Sequence, residues 1–93
     1  MSDILVVDDS EFDLAIVKKV FRALGDWNAT YVNNGELAMT CLGDRHFDLI
    51  LTDLQMPLMN GLELLKSVKD QGFDVPVVVM SAKGSEETAL EGL

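Results

Sequence analysis

The architecture of the chain follows from a stretch near its start, Ile4-Leu5-Val6-Val7-Asp8-Asp9-Ser10. Four consecutive apolar residues, three of them β-branched, predict a strand buried on both faces, which is typical of a parallel sheet covered by helices. Two carboxylates end the strand. Ser10 is a good helix N-cap, and Asp13 three positions later completes a start that resembles a capping box. The pattern therefore predicts a helix over 11–24 that ends at Gly25.

Extended and helical patterns alternate along the rest of the chain. The later predicted strands are a more polar edge strand over 27–32 and two apolar strands over 47–52 and 75–80. Between these strands, Asn33-Asn34-Gly35 begins a short helix that ends at Gly43-Asp44, and Asn60 caps a helix over 61–69 that ends at Gly72. After the last strand, Ser85 caps a final helix. The buried faces are predicted to hold Leu37, Ala38, Cys41 and Leu42 in the second helix, and Leu62, Leu65 and Val68 in the third.

This alternation with short connections predicts an α/β fold with a parallel sheet, right-handed crossovers and helices on both faces. In such folds the ligand site lies outside the carboxyl ends of the strands, at the point where the strand order switches. The search for chemistry therefore begins with the residues that follow the strands.

Acidic residues follow two of the apolar strands. Asp8 and Asp9 follow the first strand, Asp53 follows the third, and Ser81 follows the fourth. If the first and third strands are neighbours, the three carboxylates converge and raise each other's pKa, so that a proton or a cation must relieve them. Mg²⁺ accepts such hard oxygen ligands. The alternative is that these acids only cap helices beside the helix dipoles.

A carboxylate beside Mg²⁺ can act as a nucleophile toward phosphorus and form an aspartyl-phosphate. The hydroxyl of Ser81 would then lie where it could donate a hydrogen bond to the new phosphoryl group. Its alternative role is a local loop cap. Of the other reactive side chains, His46 stands alone and predicts no zinc site, and Cys41 lies on the apolar face of a helix, where it is expected to belong to the core.

Length and composition restrict the classes of partner. Ninety-three residues suffice for one domain, and the formal net charge of −9 disfavours direct contact with nucleic acid or an anionic membrane. A single cysteine cannot form an internal disulfide, which favours a reducing compartment. There is no basic leader, and no apolar run approaches the roughly 20 residues that span a bilayer. We therefore expect a soluble cytoplasmic domain that suits a divalent cation or a basic protein surface.

Three segments together resemble the receiver domain of two-component response regulators: Val6–Ser10, Asp53–Gly61 and Met80–Lys83. Their order and spacing match that family across the whole sequence. The resemblance implies a flavodoxin-like doubly wound sheet, here with four strands in the order 2-1-3-4 and helices on both faces. It also implies that Pro57 and Gly61 shape the loop after the third strand.

The resemblance assigns a role to each residue of the site. Asp53 would be the phosphoacceptor, charged by a histidine kinase, a phosphotransfer protein or a small phosphodonor. Asp8 and Asp9 would hold Mg²⁺, with Asp53 and the backbone carbonyl of Gln55 as the remaining protein ligands. Ser81 would be the switch hydroxyl.

The sequence also departs from the family pattern. Family members continue into a fifth strand, which carries a lysine and a switch aromatic, and a fifth helix, whereas this sequence stops at Leu93. Lys83 is not that lysine by position. We therefore expect residues 1–93 to form a receiver domain that lacks the fifth strand and fifth helix. Mg²⁺ binding should survive, but phosphoryl uptake and switching should be impaired.

Two apolar surfaces are predicted to need a partner. The first helix is apolar around most of its circumference, apart from a polar stripe of Glu11, Lys18, Lys19 and Arg22. The strand over 75–80 would present apolar faces and unpaired backbone groups if it were left at the sheet edge. We expect either a homodimer through this strand edge and the first-helix surface, or a further segment that covers them.

Two other functions compete with a phosphoacceptor. One is a phosphatase of the haloacid dehalogenase type, which needs a second aspartate two positions after its nucleophile. Gln55 occupies that position after Asp53, and Ser10 occupies it after Asp8, so we expect no turnover enzyme. The other is an interaction or dimerisation module that keeps the fold without phospho-switching.

Overall fold

A computed structural model describes residues 2–80 of the chain. Its elements are, in order, β1 (Ser2–Val7), α1 (Glu11–Leu24), β2 (Trp27–Val32), α2 (Gly35–Asp44), β3 (Leu49–Asp53), α3 (Gly61–Asp70) and β4 (Val77–Met80). The predicted last helix and the residues Ser81 and Lys83 lie outside the described part. The expectation that residues 1–93 lack a fifth strand and helix stays a prediction.

The four strands form one parallel sheet in the order β2-β1-β3-β4. This confirms the predicted α/β, flavodoxin-like architecture with strand order 2-1-3-4. The central strand β1 pairs with β2 from Ser2↔Trp27 to Val7↔Val32, and with β3 from Ile4↔Leu49 to Val7↔Thr52. The carboxyl ends of β1 and β3 therefore lie side by side at the same edge of the sheet.

Two strands begin later than the sequence pattern predicts. β3 begins at Leu49 rather than at residue 47, because its pairing with β1 starts only at that register. β4 begins at Val77 rather than at residue 75. Pro76 has no N–H to donate to a ladder, although its carbonyl accepts a hydrogen bond from the N–H of Ile50 at 2.9 Å.

The hydrophobic core lies between the sheet and the pair α2 and α3. Its buried members are Leu5, Val7, Ala38, Leu42, Phe47, Ile50, Met56, Leu64 and Val68. The alternate β1 residues Ile4 and Val6 are also fully buried, and they point to the opposite face. On that face α1 packs against β2, because the right-handed crossovers from β1 to β2 and from β2 to β3 run in opposite directions across the sheet. Helices therefore lie on both faces of the sheet.

The faces that α2 and α3 turn to the core differ from the predicted ones. In α3, Gly61, Leu64 and Val68 are buried, whereas Leu62 is exposed and Leu65 is only partly buried. The backbone of Gly61 approaches the carbonyl oxygen of Asp53, and this approach fixes the rotation of the helix about its axis.

The second helix shows the same effect. Gly35, Ala38 and Leu42 are buried, Cys41 is half-buried, and Leu37 is exposed against prediction. Gly35 lies against the side chain of Met59. Ala38 and Leu42, three and seven positions later, lie on the same face of the helix as Gly35. In both helices the glycine at the first position therefore lies on the buried face.

The first helix begins and ends as predicted. The Ser10 hydroxyl accepts a hydrogen bond from the N–H of Asp13, and Gly25 ends the helix in the left-handed conformation with φ 77°. No α1 residue is fully buried against the rest of residues 2–80, and a row of apolar side chains is exposed along the helix: Phe12, Ile16, Val20 and Leu24. Within residues 2–80, no helix has the length and hydropathy needed to cross a membrane.

Candidate functional site

Three carboxylates meet at the carboxyl edge of the sheet. Asp8 and Asp9 directly follow β1, and Asp53 ends the neighbouring strand β3. One carboxylate oxygen from each residue lies within 4.8 Å of the other two. This arrangement follows from the register, because Val7 is paired with Thr52 and the next residue of each strand emerges at the same level.

The pocket is recessed on one side and open on the other. Asp8 is 2% exposed and Asp53 is 5% exposed, whereas Asp9 is exposed. In the described part of the chain, no lysine or arginine forms an ion pair with any of the three. The pocket therefore concentrates negative charge without a protein cation from residues 2–80 to balance it.

Backbone groups orient both buried carboxylates. The N–H of Ser10 donates a hydrogen bond to Oδ1 of Asp8 at 2.9 Å, in the turn that also caps α1. The backbone N–H groups of Gln55 and Leu54 lie close enough to the carboxylate of Asp53 to favour its ionised form. The loop after β3 thus folds back over its own carboxylate.

Burial and mutual repulsion disfavour ionisation at this site. Burial is the main reason that the pKa of Asp8 rises from 3.8 to about 6, and the negative charge of Asp53 adds to the rise against the opposing N–H of Ser10. Burial also raises the pKa of Asp53, helped by the charge of Asp9 and opposed by the two backbone N–H groups. A bound cation would favour the ionised form of both groups.

The loop from Leu54 to Asn60 is fixed at both ends. The N–H of Leu54 bonds to the carbonyl of Met80 at 2.7 Å, and the N–H of Gly61 bonds back to the carbonyl of Leu54 at 2.9 Å. Asn60 caps α3 as predicted and forms a full capping box with Glu63. The reciprocal contribution of Glu63 was readable from its position three residues after the cap, although the sequence analysis did not use it.

A Cβ atom at Gly61 would clash with the carbonyl oxygen of Asp53 and crowd Leu54. Only glycine allows the start of α3 to pass this close to the end of β3. The role of Gly61 in shaping the loop therefore has a direct steric basis, and it couples the first turn of α3 to the position of Asp53.

The structure brings together Asp8, Asp9 and Asp53, with the backbone of Gln55 beside them, while Ser81 lies outside the described residues. His46 is exposed and pairs with Asp48 at 3.1 Å; it precedes β3, whose opposite end carries Asp53. Thr52, fully buried within the apolar β3, donates its hydroxyl to the carbonyl of Asp53 at 3.1 Å. Thr52 was not among the predicted site residues, and its polarity within an apolar run was the available signal.

Comparison with known proteins gives a consistent result. The family described as the response regulator receiver domain matches residues 4–93. The transcriptional regulatory protein ZraR of Escherichia coli O157:H7 is 40% identical over 91 residues, which cover 98% of this chain and 20% of that protein. The chain therefore spans about a fifth of the length of this relative.

Solved structures are similar over nearly the whole chain. The receiver domain of Francisella response regulator 1452 has a TM-score of 0.85 and 29% identity, covering 99% of this chain and 75% of that one. The response regulator TrrA of Thermotoga maritima, solved in complex with Mg²⁺-BeF, has a TM-score of 0.83 and 27% identity, covering 97% of this chain and 77% of that one.

The sheet and its acidic pocket define a doubly wound α/β protein with a carboxylate site at the carboxyl ends of its central strands. With the family match over residues 4–93, this chain belongs to the response regulator receiver domain family of two-component signalling.

Proposed function

We propose that this chain accepts a phosphoryl group on Asp53, with Mg²⁺ held by Asp8, Asp9, Asp53 and the backbone carbonyl of Gln55. The observation that carries the proposal is the convergence of the three carboxylates within 4.8 Å at adjoining strand ends. Helix capping explains one N–H contact to Asp8, but it does not require three carboxylates in one pocket.

The donor set fits Mg²⁺. The pocket offers only oxygen ligands, and the exposure of Asp9 leaves room for the water molecules that this ion retains. Bound Mg²⁺ would neutralise the carboxylates and screen their repulsion of an incoming phosphoryl group. The raised pKa values of Asp8 and Asp53 support this fit, because both groups gain from a nearby positive charge.

The chain's own residues would position the nucleophile. The backbone N–H groups of Leu54 and Gln55 lie near the Asp53 carboxylate and favour its ionised form, and one oxygen of this carboxylate would be the nucleophile. That oxygen forms the new bond to phosphorus. The bond between phosphorus and the donor atom breaks. The donor atom is an imidazole nitrogen of a phosphohistidine or an oxygen of a small phosphodonor, and it keeps the electron pair of the broken bond. Ser81 would donate its hydroxyl to the transferred group.

The partner we propose is a histidine kinase or phosphotransfer protein, with no direct contact to nucleic acid or membrane, in the cytoplasm. The net charge of −9 supports the exclusion of polyanions, and the single cysteine suits a reducing compartment. No turnover is proposed, because Gln55 and Ser10 stand where a phosphatase of the haloacid dehalogenase type would place its acid. Impaired switching without the family lysine stays a prediction.

A second candidate function is an interaction module that dimerises without phospho-switching. The exposed apolar row of α1 supports it, since four large side chains lie open along one helix. Among the described strands, β4 pairs with β3 alone, so its other edge could also take part. In this form of the proposal a second copy covers the α1 surface and the β4 edge.

Phosphorylation followed by mass spectrometry tests the proposed function. With acetyl phosphate and Mg²⁺ we expect a mass increase of one phosphoryl group on part of the chains, because uptake is expected to be impaired, and no increase with a chelator or in Asp53→Asn. Asp44→Asn, which removes an acid at the end of α2, is the matched control and should be labelled normally. The proposal would be overturned if Asp53→Asn were labelled or if the unmodified chain were not labelled. In the second case the interaction module would be the remaining candidate function.

A further inference from the structure

The outer edge of β2 is unpaired in the described part of the chain. β2 stands first in the order β2-β1-β3-β4, and β1 is its one neighbour among the described strands. The N–H of Ser2 bonds to the carbonyl of Asp26, and the N–H of Asp8 bonds to the carbonyl of Val32. The even-numbered residues of β2 therefore face β1 in this parallel ladder. The backbone N–H and C=O groups of residues 27, 29 and 31 point outward, where a further strand could pair with them.

The side chains of these outward residues line a groove between β2 and α1. One hollow of about 350 Å³ lies along the strand, and its lining combines aromatic and basic side chains: Lys18, Phe21, Arg22, Trp27, Ala29 and Tyr31. A second hollow, of about 540 Å³, also contains Lys18 and Tyr31 and extends to Val32. Together the two hollows form one groove, the β2 groove, which follows the strand from Trp27 to Val32.

Aromatic rings and cations lie together in the β2 groove. Phe21 and Trp27 pack edge to face with their ring centroids 5.8 Å apart, and Nζ of Lys18 lies 5.1 Å from the ring centroid of Tyr31. Burial raises the pKa of Tyr31, and the nearby charge of Arg22 opposes the rise, so Arg22 also lies close to this ring. A cation–π contact orients an ammonium group but leaves its N–H donors free to bind an anion.

The charge of the β2 groove is opposite to that of the chain. The sequence has seven lysines and arginines against 16 acids, and three of the seven lie within residues 18–22 of α1. Lys18 and Arg22 are exposed, and within residues 2–80 neither forms an ion pair. Among the described residues that line the groove, Glu11 is the one acid, and it lies in the first turn of α1. The groove is therefore a local basic surface on an acidic protein.

We propose that the β2 groove binds an extended acidic segment of a partner protein, which adds to the sheet as a strand beside β2. The proposal goes beyond phosphoryl transfer and does not rest on it. Lys18 and Arg22 are four residues apart, about 6 Å along α1, and alternate residues of a strand are about 6.6 Å apart. Acidic side chains at every second position of the segment would therefore meet both cations, while its backbone pairs with the outward groups of β2.

A second copy of the chain fits this edge less well. The strand Trp27–Val32 contains no acidic residue that could pair with the cations of a neighbour. Two β2 edges paired antiparallel about a twofold axis would also bring the Lys18 and Arg22 side chains of both copies onto the same face of the joined sheet. Charge complementarity therefore favours an acidic segment over a second β2 strand.

Peptide binding to the 93-residue chain tests the proposal. The probe is a capped, dye-labelled peptide of about eight residues that alternates glutamate and valine, a length typical of a strand. Its anisotropy and the fluorescence of Trp27, the one tryptophan of the chain, report binding. Lys18→Gln and Arg22→Gln should each weaken binding about fivefold or more, because each removes one charge pair.

Lys19→Gln is the matched control, because it removes an exposed cation from the same helix at a position that does not line the groove. It should change the affinity by less than about twofold, since a charge outside the groove is screened by solvent and salt. Lys18→Arg keeps the charge and should bind normally. All four substitutions are at exposed positions and should leave the melting temperature unchanged. Should Lys18→Gln fail to fold, Arg22→Gln carries the same test.

Three further peptides identify the interaction that is responsible. One has lysine in place of glutamate, one is N-methylated at alternate residues so that it cannot pair as a strand, and one has the sequence of residues 26–33 and represents a second copy. Each should bind at least about tenfold more weakly than the acidic peptide. The proposal is overturned if the acidic peptide does not bind at about 1 mM, or if any of the three binds as tightly. It is also overturned if Lys19→Gln weakens binding as much as Lys18→Gln does.

Discussion

Asp8 is a buried carboxylate whose pKa is strongly raised at this site. Burial and the nearby charge of Asp53 raise its pKa from 3.8 to about 6, so the folded chain holds the proton more tightly than the unfolded chain does. The stability that protonated Asp8 contributes is therefore fully present below about pH 3.8. This contribution is lost as the pH rises through about 6. At neutral pH without a cation, the ionised carboxylate opposes folding.

Removing this charge should stabilise the protein. In the absence of divalent cations at pH 7.5, Asp8→Asn should raise the free energy of unfolding by about 1–3 kcal/mol, because the asparagine is neutral and nearly isosteric. Denaturant unfolding at several pH values checks this. The difference from the unmodified chain should shrink toward zero as the pH falls to about 4, where Asp8 is protonated. A difference that is constant with pH would contradict the electrostatic cause.

At the scale of elements, two glycines fix how helices meet the sheet. Gly61 allows α3 to start against the carbonyl of Asp53, and Gly35 allows α2 to start against Met59. The sequence predicted the existence, order and type of the described elements, since apolar runs, N-caps and Gly25 mark them locally. It placed Leu62 and Leu37 in the core wrongly, because the buried face of each helix depends on contacts between distant segments: Gly61 with the backbone of Asp53, and Gly35 with the side chain of Met59.

Adding one methyl group at Gly61 should disturb both the fold and the site. Gly61→Ala should lower the free energy of unfolding by about 2 kcal/mol or more, since its Cβ meets backbone atoms of Asp53 and Leu54 that have little room to move. Gly43→Ala is the matched control in α2, because a Cβ there meets no atom of residues 2–80 within 4 Å. It should leave stability unchanged or raise it by up to about 1 kcal/mol. Equal melting temperatures for the two variants would contradict this account.

The loop between β3 and α3 shows what sequence patterns cannot reveal. Asn60 and Gly61 are residues typical of a helix start, but no residue near Leu58 predicts that its backbone adopts a positive φ, here 70°. Leu58 lies between Met56, which is buried in the core, and Met59, which packs against Gly35, and only the folded chain supplies these contacts. The candidate carboxylates, by contrast, were predictable because each one directly follows an apolar strand.

At the scale of the whole molecule, α1 is a helix whose apolar surface is largely uncovered by the rest of residues 2–80. The sheet covers one side of the helix, and the apolar row of Phe12, Ile16, Val20 and Leu24 remains open. The breadth of its apolar surface was visible in the sequence, and the structure shows which part of it the sheet leaves uncovered. Residues 2–80 leave this row open, and the two predicted covers remain a second copy of the chain and a further segment of the same chain.

Self-association through this row can be measured directly. We expect the chain to elute as a dimer in size-exclusion chromatography with light scattering, and Val20→Gln to shift it toward the monomer, because an apolar contact is lost at little cost to the fold. Leu37→Gln is the matched control, since Leu37 is similarly exposed, at 46% against 51% for Val20, but lies on α2. A dilute, unmodified chain that is monomeric with a cooperative melt would contradict the dimer.

Binding of Mg²⁺ measured by titration calorimetry tests the central claim, that three acids at adjoining strand ends form one cation site. We predict a single site per chain that is lost or strongly weakened in Asp9→Asn and in Asp53→Asn, and retained in Asp44→Asn. No saturable binding by the unmodified chain, or binding that survives both pocket substitutions, would contradict the account.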